Sequence, residues 1–295
     1  SRQEPFLLKV SFARPHSPYD PPQRFLDMYS ADDMPAPYIG DWASRHASHE
    51  KPPNPSLWHG DIGIRQAKES RRAYYGSVTF IDEQIGRILA ALKKRNLYDD
   101  TLILFFADHG DMLGDHHLWR KTYAYEGSAR IPMILRWPRS ESIRRQRGGK
   151  LSQPVELRDV LPTFLDVAGA PVPTHLDGRS LLELVCGQTG NWRLFIDLEH
   201  SMCYSNDHWT ALTDGRQKYI YHAYDGSEQL FDLGEDPGES HDLAGESSCQ
   251  DTLKLWRQRM VTHLSERGHE FIENRALTIR KNRLLYSPNY PRKSI

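Results

Sequence analysis

An uninterrupted apolar run at residues 101–107 (TLILFFA) constrains the fold more than any other feature of the sequence. Runs of this length without polar alternation are typical of strands buried on both faces, as in parallel sheets covered by helices. Residues 65–95 precede it and repeat apolar side chains at three- and four-residue steps, which predicts an amphipathic helix. A β-rich run at residues 6–12 comes before that helix. Strand, helix and strand in this order predict a βαβ unit.

The predicted fold class is therefore α/β, with a mostly parallel sheet sandwiched by helices. We assign residues 1–190 to this core domain and residues 191–295 to a small C-terminal α+β subdomain. The further elements predicted for the core are a loop at 30–60, a strand at 131–137 and a helix at 155–168. The elements predicted for the subdomain are short antiparallel strands at 209–212, 218–221 and 229–233 and a helix at 251–267.

Composition excludes several classes of protein. The 295 residues carry a formal net charge of −1, which gives no overall field for nucleic acid, so we expect no nucleic-acid partner. No apolar run approaches the roughly 20 residues that span a bilayer, so we expect no membrane span. The 3 cysteines are too few for a disulfide framework and lack the C-x-x-C spacing of a zinc ribbon.

Chemically active side chains cluster after the predicted strands. His16 follows the first strand, and Asp108 and His109 follow the run at 101–107, with Lys121 close behind. Ligands of open parallel sheets bind outside the carboxyl ends of the strands. Asp108 and His109 could bind one divalent ion, while Lys121 and His16 could hold the oxygens of a tetrahedral anion. For His16 or Lys121 alone, a solvated polar loop is the preferred alternative.

Five stretches of the sequence resemble the sulfatases of the alkaline phosphatase superfamily. They are SFARPHSPYDPP at residues 11–22, ADHGDMLGDH at 107–116, Lys121 with YEG at 125–127, LDGRSL at 176–181 and LFDLGEDPGE at 230–239. Their order along the chain makes the resemblance specific, and it covers nearly the whole chain. The resemblance implies a sulfuric ester hydrolase that acts on a sulfated small molecule or carbohydrate.

The resemblance also assigns roles to residues. Asp108 and His109 match a metal-ligand pair, and His16 and Lys121 match catalytic residues that contact the sulfate. The implied metal is Ca²⁺, with Mn²⁺ as the alternative, because His109 gives the site a softer nitrogen ligand. Arg14 is an even choice between a substrate contact and a structural turn. His200, with His208 and Trp209, is a weak candidate for substrate selection, and we prefer the reading of these three as loop polar groups.

The sequence departs from the family pattern in its nucleophile. Sulfatases use a formylglycine made within the motif C/S-x-P/A-x-R, and neither this motif nor the first pair of metal-binding aspartates occurs among the 295 residues. We therefore expect the chain to be the C-terminal portion of a sulfatase, with both features upstream of Ser1. We expect it to be inactive alone and to need an N-terminal half or a homo-oligomer.

Two alternatives stay open at this point. A phosphonate or phosphate ester hydrolase of the same superfamily would use the same metal scaffold. A non-catalytic remnant or subunit would bind only an anion or a partner chain. The sequence leaves the compartment open between the cytoplasm and the periplasm or exterior.

Overall fold

The computed structural model describes residues 5–48, 57–139, 148–200 and 208–282. Its helices are α1 (Gln23–Leu26), α2 (Ile64–Lys94), α3 (Glu126–Ala129), α4 (Val160–Val167), α5 (Leu181–Val185) and α6 (Gln250–Leu264). Its strands are β1 (Ile103–Phe106), β2 (Met133–Arg136), β3 (Ile196–His200), β4 (Trp209–Thr213), β5 (Gln217–His222), β6 (Ser227–Asp232), β7 (Ile272–Glu273) and β8 (Ala276–Leu277). No helix in these four ranges combines the length and the apolarity needed to cross a membrane.

The long helix predicted from the apolar repeat is confirmed as α2. It ends in Lys93 and Lys94, whose charges suit the negative end of a helix dipole. Its buried positions hold three small residues, one arginine and one larger apolar residue: Ala67, Gly76, Ser77, Arg71 and Ile81. A Cβ at Gly76 would lie 3.2 Å from the carbonyl oxygen of Phe25, so glycine allows α1 to pack directly on α2.

The strand predicted at residues 6–12 does not form. This stretch has no regular secondary structure and is exposed, with Leu7 77% accessible to solvent. β1 pairs instead with β2, and the pair is antiparallel, so the predicted parallel pairing is not found in the described part of the chain. Phe105 and Phe106 of β1 are also exposed, at 39% and 36%. A strand is fixed by neighbours that pair its backbone groups, and an apolar pattern does not supply those neighbours.

The small antiparallel sheet predicted for the C-terminal part is confirmed. Its strand order is β3-β4-β5-β6, and all three pairings are antiparallel. The helix predicted at 251–267 is found as α6, which covers one face of the sheet with four buried side chains: Leu253, Trp256, Met260 and Leu264. The β7–β8 hairpin was not predicted, because two residues per strand carry no periodic signal.

A core cluster joins this sheet to the loop that follows β1. Trp209 of β4 and Phe231 of β6 pack in one buried group with Met112, Leu118 and Tyr125. The division of the chain at residue 190 stays a prediction. The packing across it means that the C-terminal sheet supports the loop that carries the candidate site.

A buried ion cluster crosses the same boundary. The Nζ atom of Lys218, whose side chain is fully buried in β5, donates to Glu126 Oε1 and Glu239 Oε1, each at 2.8 Å. The second carboxylate oxygen of Glu239 accepts the backbone N–H of Glu126 at 2.6 Å. Burial raises the pKa of Glu239, and the charge of Lys218 opposes that effect. The cluster thereby fixes the start of α3 against β5.

Candidate active site

One aspartate shapes the loop between β1 and α3. Asp111 Oδ1 accepts the backbone N–H groups of Leu113 and Arg120, both at 3.1 Å. Its other oxygen accepts the hydroxyl of Tyr19 at 2.8 Å, and burial together with Asp111 raises the pKa of that hydroxyl. Tyr19 belongs to the proline-rich segment that also carries His16. Asp111 therefore joins the two segments that the sequence singled out.

A buried ion pair attaches the same loop to α2. Asp115 Oδ1 accepts from Arg71 Nη2 at 2.5 Å and from the backbone N–H of Tyr38 at 2.8 Å. The guanidinium also donates from Nε to the carbonyl of Leu113 at 3.1 Å. Arg71 is 7% exposed, so these bonds are protected from solvent. The helix predicted from periodicity, α2, thus positions the loop between β1 and α3.

His116 lies in the core behind the loop. Its ring is 4.5 Å from the Trp42 ring and 5.5 Å from the Tyr125 ring, measured between centroids. Its Nδ1 accepts the backbone N–H of Gly40 at 3.1 Å. Burial lowers the pKa of His116 to about 4. The imidazole is neutral in the folded protein at neutral pH, and its role is packing.

The low pKa of His116 makes stability depend on pH. The unfolded chain takes up this proton near pH 6.5, whereas the folded protein resists it down to about pH 4. Stability is therefore complete above pH 6.5 and falls as the pH drops toward 4, by about 3 kcal/mol. Urea unfolding across this range should show a shallower loss in His116→Phe than in the wild type. His241→Phe, at an exposed position, should leave the slope unchanged, and equal slopes for His116→Phe and the wild type would contradict the assignment.

Gly110 allows a close approach between this loop and α3. Its N–H donates to the carbonyl of Ser128 at 2.8 Å. A Cβ at position 110 would lie 2.2 Å from the carbonyl oxygen of Gly127, which is closer than any real contact. A side chain here would push α3 away, so the glycine after Asp108 and His109 is required by packing.

Asp108 and His109 lie at the end of β1, as the sequence predicted. Asp108 is 85% exposed, and its Oδ2 lies 3.8 Å from His109 Nε2. His109 Nδ1 lies 2.7 Å from the carbonyl oxygen of Gly110. A carbonyl only accepts, so Nδ1 carries the proton and Nε2 presents a lone pair beside the carboxylate.

This donor set fits a divalent cation. A histidine whose Nδ1–H is held by a carbonyl is the usual form of a metal-binding imidazole, and a solvent-facing carboxylate is a suitable oxygen ligand. No group of three or more His, Cys, Asp or Glu side chains with metal-binding spacing occurs among the described residues. That Asp108 and His109 bind a metal stays a prediction, and the two side chains would supply only part of its ligands.

His16 and Lys121, which are 105 residues apart in sequence, meet in the structure. Lys121 Nζ donates to His16 Nε2 at 2.6 Å, and His16 Nδ1 lies 2.7 Å from the carbonyl oxygen of Ser17. The carbonyl fixes the proton on Nδ1, so Nε2 is free to accept from the ammonium group. The ring of His16 lies 5.8 Å from the ring of His109. The candidate anion-binding pair and the candidate metal-binding pair are therefore neighbours.

The two remaining predicted residues have other contacts. Arg14 Nε pairs with Asp20 Oδ1 at 2.6 Å and so braces its own loop. His200 ends β3, where it faces Trp209 of β4 with ring centroids 6.3 Å apart. Substrate roles for Arg14 and His200 stay predictions.

Sequence reasoning missed the residues that hold the site in place. Arg71 was not singled out, and Asp111 was noted only as one member of the polar cluster that follows the apolar run at 101–107, without its supporting role. Trp209 was considered for substrate selection, yet its Nε1 donates to the backbone carbonyl of Thr122 at 3.0 Å. Long-range hydrogen bonds of this kind leave no pattern in a single sequence.

Comparison with protein families identifies the family of the chain. Residues 1–170 match the family model described as Sulfatase. The chain belongs to the sulfatase family. Residues 114–266 of this sulfatase chain also match the model described as N-sulphoglucosamine sulphohydrolase, C-terminal. The recognition made from sequence motifs is thereby confirmed.

Individual relatives show how much of a sulfatase this chain represents. The arylsulfatase of Clostridium perfringens (strain 13 / Type A) is 36% identical over 274 residues, which cover 93% of this chain and 56% of that protein. The choline-sulfatase of Rhizobium meliloti (strain 1021) is 34% identical over 271 residues, which cover 88% of this chain and 51% of that protein. The chain spans about half the length of these curated relatives.

A solved structure supports the fold class. The phosphonate monoester hydrolase of Silicibacter pomeroyi superposes with a TM-score of 0.72 and 28% identity, covering 91% of this chain and 58% of that one. The predicted α/β class of the alkaline phosphatase type is confirmed, and within it the described strands pair antiparallel.

Proposed function

We propose that the protein hydrolyses sulfate esters and that this chain supplies the anion-binding pair and half of the metal ligands. The observation that carries the proposal is the meeting of Lys121 and His16 at 2.6 Å, beside His109. Segments far apart in sequence bring these groups together at the end of β1. Unrelated polar loop residues would not be expected to place an anion-binding pair next to a metal-binding pair, as the family motif implies.

The chemistry of Lys121 suits a sulfuryl group. Its ammonium group has three N–H donors, of which one is directed at His16. The other two can donate to the sulfuryl oxygens, where charge develops during ester cleavage. The departing alcohol needs a proton, and Lys121 or His16 would supply it. The substrate class we propose is a sulfated small molecule or a sulfated carbohydrate.

Asp108 and His109 would hold a divalent cation, with Ca²⁺ as the first choice and Mn²⁺ as the second. The cation would supply positive charge next to the sulfuryl oxygens. The formylglycine nucleophile and the further metal ligands would come from outside the 295 residues, since no C/S-x-P/A-x-R occurs within them. These groups would lie in a further segment of the same polypeptide or in a partner chain.

Metal binding gives a test that does not depend on turnover. Asp108→Ala should weaken the calorimetric affinity for Ca²⁺ or Mn²⁺ by about tenfold or more, because a carboxylate ligand is lost. The matched control is Asp82→Ala, an exposed aspartate of α2, which should bind as the wild type does. Equal affinity in Asp108→Ala and Asp82→Ala would contradict the ligand assignment.

A phosphonate or phosphate ester hydrolase is the second candidate, because a solved phosphonate monoester hydrolase shares the fold at a TM-score of 0.72. The two are separated by kcat/KM for 4-nitrophenyl sulfate and for 4-nitrophenyl phenylphosphonate, measured on the protein expressed from its whole reading frame. We expect the sulfate ester to be preferred. A reversed preference would favour the phosphonate hydrolase, and hydrolysis of neither ester would favour a non-catalytic role.

A further inference from the structure

The backbone on both sides of Lys121 is in an unfavourable conformation. Arg120 has a φ of +65°, and Thr122 has a φ of +90°. Residues with a side chain rarely adopt positive φ, and a β-branched residue such as threonine is disfavoured most. Such a conformation persists only where surrounding contacts impose it. The direction in which Lys121 leaves the backbone therefore depends on those contacts.

Different parts of the chain fix the backbone before and after Lys121. The backbone of Arg120 is fixed by hydrogen bonds within the loop. Its N–H donates to Asp111 at 3.1 Å, and its carbonyl accepts from the Met112 N–H at 2.8 Å. The backbone of Thr122 is instead contacted by the C-terminal sheet. The indole N–H of Trp209 donates to the Thr122 carbonyl at 3.0 Å.

Trp209 is a rigid donor. It is 6% exposed and belongs to β4, which is paired on both sides by β3 and β5. Its ring packs in the core cluster with Met112, Leu118 and Tyr125. The sheet and the cluster fix the indole, so the position of its N–H determines where the Thr122 peptide can lie.

We propose that Trp209 is a positioning residue, whose indole N–H holds the Thr122 peptide so that Lys121 stays on His16. Its catalytic consequence rests on the proposed role of Lys121 in binding the sulfuryl group. Without this hydrogen bond, Thr122 relaxes toward negative φ, and the Lys121 side chain turns away from His16 Nε2. The C-terminal sheet thus contributes to the site without touching the substrate.

The test compares two tryptophans of the C-terminal part. Trp209→Phe removes the donor and keeps an aromatic ring. Trp256→Phe is the matched control, since the Trp256 N–H donates to Gln217 Oε1 at 2.8 Å and the residue is fully buried in a different core cluster from that of Trp209. Each variant loses one indole hydrogen bond from the C-terminal part, so general destabilisation should be similar.

The readout is acetylation of individual lysines under limiting acetic anhydride, followed by peptide mass spectrometry. We expect Lys121 to react about fivefold faster or more in Trp209→Phe, because its charge-assisted hydrogen bond to His16 is lost. Lys94 and Lys254, both exposed, serve as internal references. Equal reactivity of Lys121 in the two variants would overturn the proposal.

A second measurement separates this proposal from the proposed function. KM for a sulfate ester should rise about fivefold or more in Trp209→Phe and stay unchanged in Trp256→Phe. Faster labelling of Lys121 with an unchanged KM would support the positioning role and contradict the anion-binding role of Lys121. If Trp209→Phe fails to fold, 3-benzothienylalanine in place of Trp209 replaces only the N–H by sulfur and keeps the shape of the ring.

Discussion

Replacing Lys121 by methionine should lower kcat/KM for 4-nitrophenyl sulfate by about 10²–10³-fold, the usual effect of removing one electrostatic stabiliser from an active site. Methionine keeps an unbranched stem and removes the ammonium group that faces His16 at 2.6 Å. The charge that develops on the sulfuryl oxygens then lacks its donor. The measurement is steady-state hydrolysis by the protein expressed from its whole reading frame.

The pairing of Lys121 with His16 adds a further expectation. Because the two side chains contact each other, the double variant Lys121→Met with His16→Ala should lose less activity than the product of the single losses. Lys94→Met, at an exposed position near the end of α2, is the control and should retain full activity. Activity of Lys121→Met within a factor of about three of the wild type would exclude a direct role in the transition state.

Replacing Lys218 by methionine should cost about 3–5 kcal/mol of the free energy of unfolding, the range measured when one partner of a buried ion pair is removed. The substitution leaves the carboxylates of Glu126 and Glu239 facing each other without a cation, and the Glu239 side chain is only 2% exposed. The loss should be smaller at low pH, because protonated carboxyl groups need no counter-charge. Urea unfolding at two pH values measures both effects.

The control experiments for this cluster use charge removal. Adding Glu239→Gln to Lys218→Met should recover a large part of the lost stability, because one of the two buried negative charges disappears. Lys254→Met, on the exposed side of α6, should change stability by no more than about 0.5 kcal/mol. A cost below about 1 kcal/mol for Lys218→Met would show that the cluster is not a structural support.

Local patterns predicted the elements whose stability is local. α2 and α6 follow from apolar residues at helical spacing, and the strands β4–β6 follow from short β-rich runs between turns. The strand prediction for residues 6–12 was wrong because a β-rich run becomes a strand only when another strand pairs with it. The antiparallel β1–β2 pair could not be predicted for the same reason, since pairing is a relation between distant segments.

The residues of the candidate site could be predicted from the sequence, whereas the residues that support them could not. The rule that ligands bind beyond strand ends, together with the family motif, pointed to His16, Asp108, His109 and Lys121, and the structure brings them together. The supports around them were not predictable. Lys218 is 92 residues from Glu126 and 21 residues from Glu239 in sequence, so its pairing with these two glutamates is seen only in the structure.

The crowding of Gly110 against Gly127 separates two kinds of evolutionary constraint on one short motif. Asp108 is solvent-exposed and could drift in a descendant that no longer needs catalysis, with little penalty to folding. Gly110 could not, because any side chain would displace the helix that carries Glu126. Descendants that have lost activity should therefore keep Gly110 while Asp108 or Lys121 varies. Retention of Gly110 would reflect the demands of folding, whereas retention of the charged residues would show that the chemistry is still under selection.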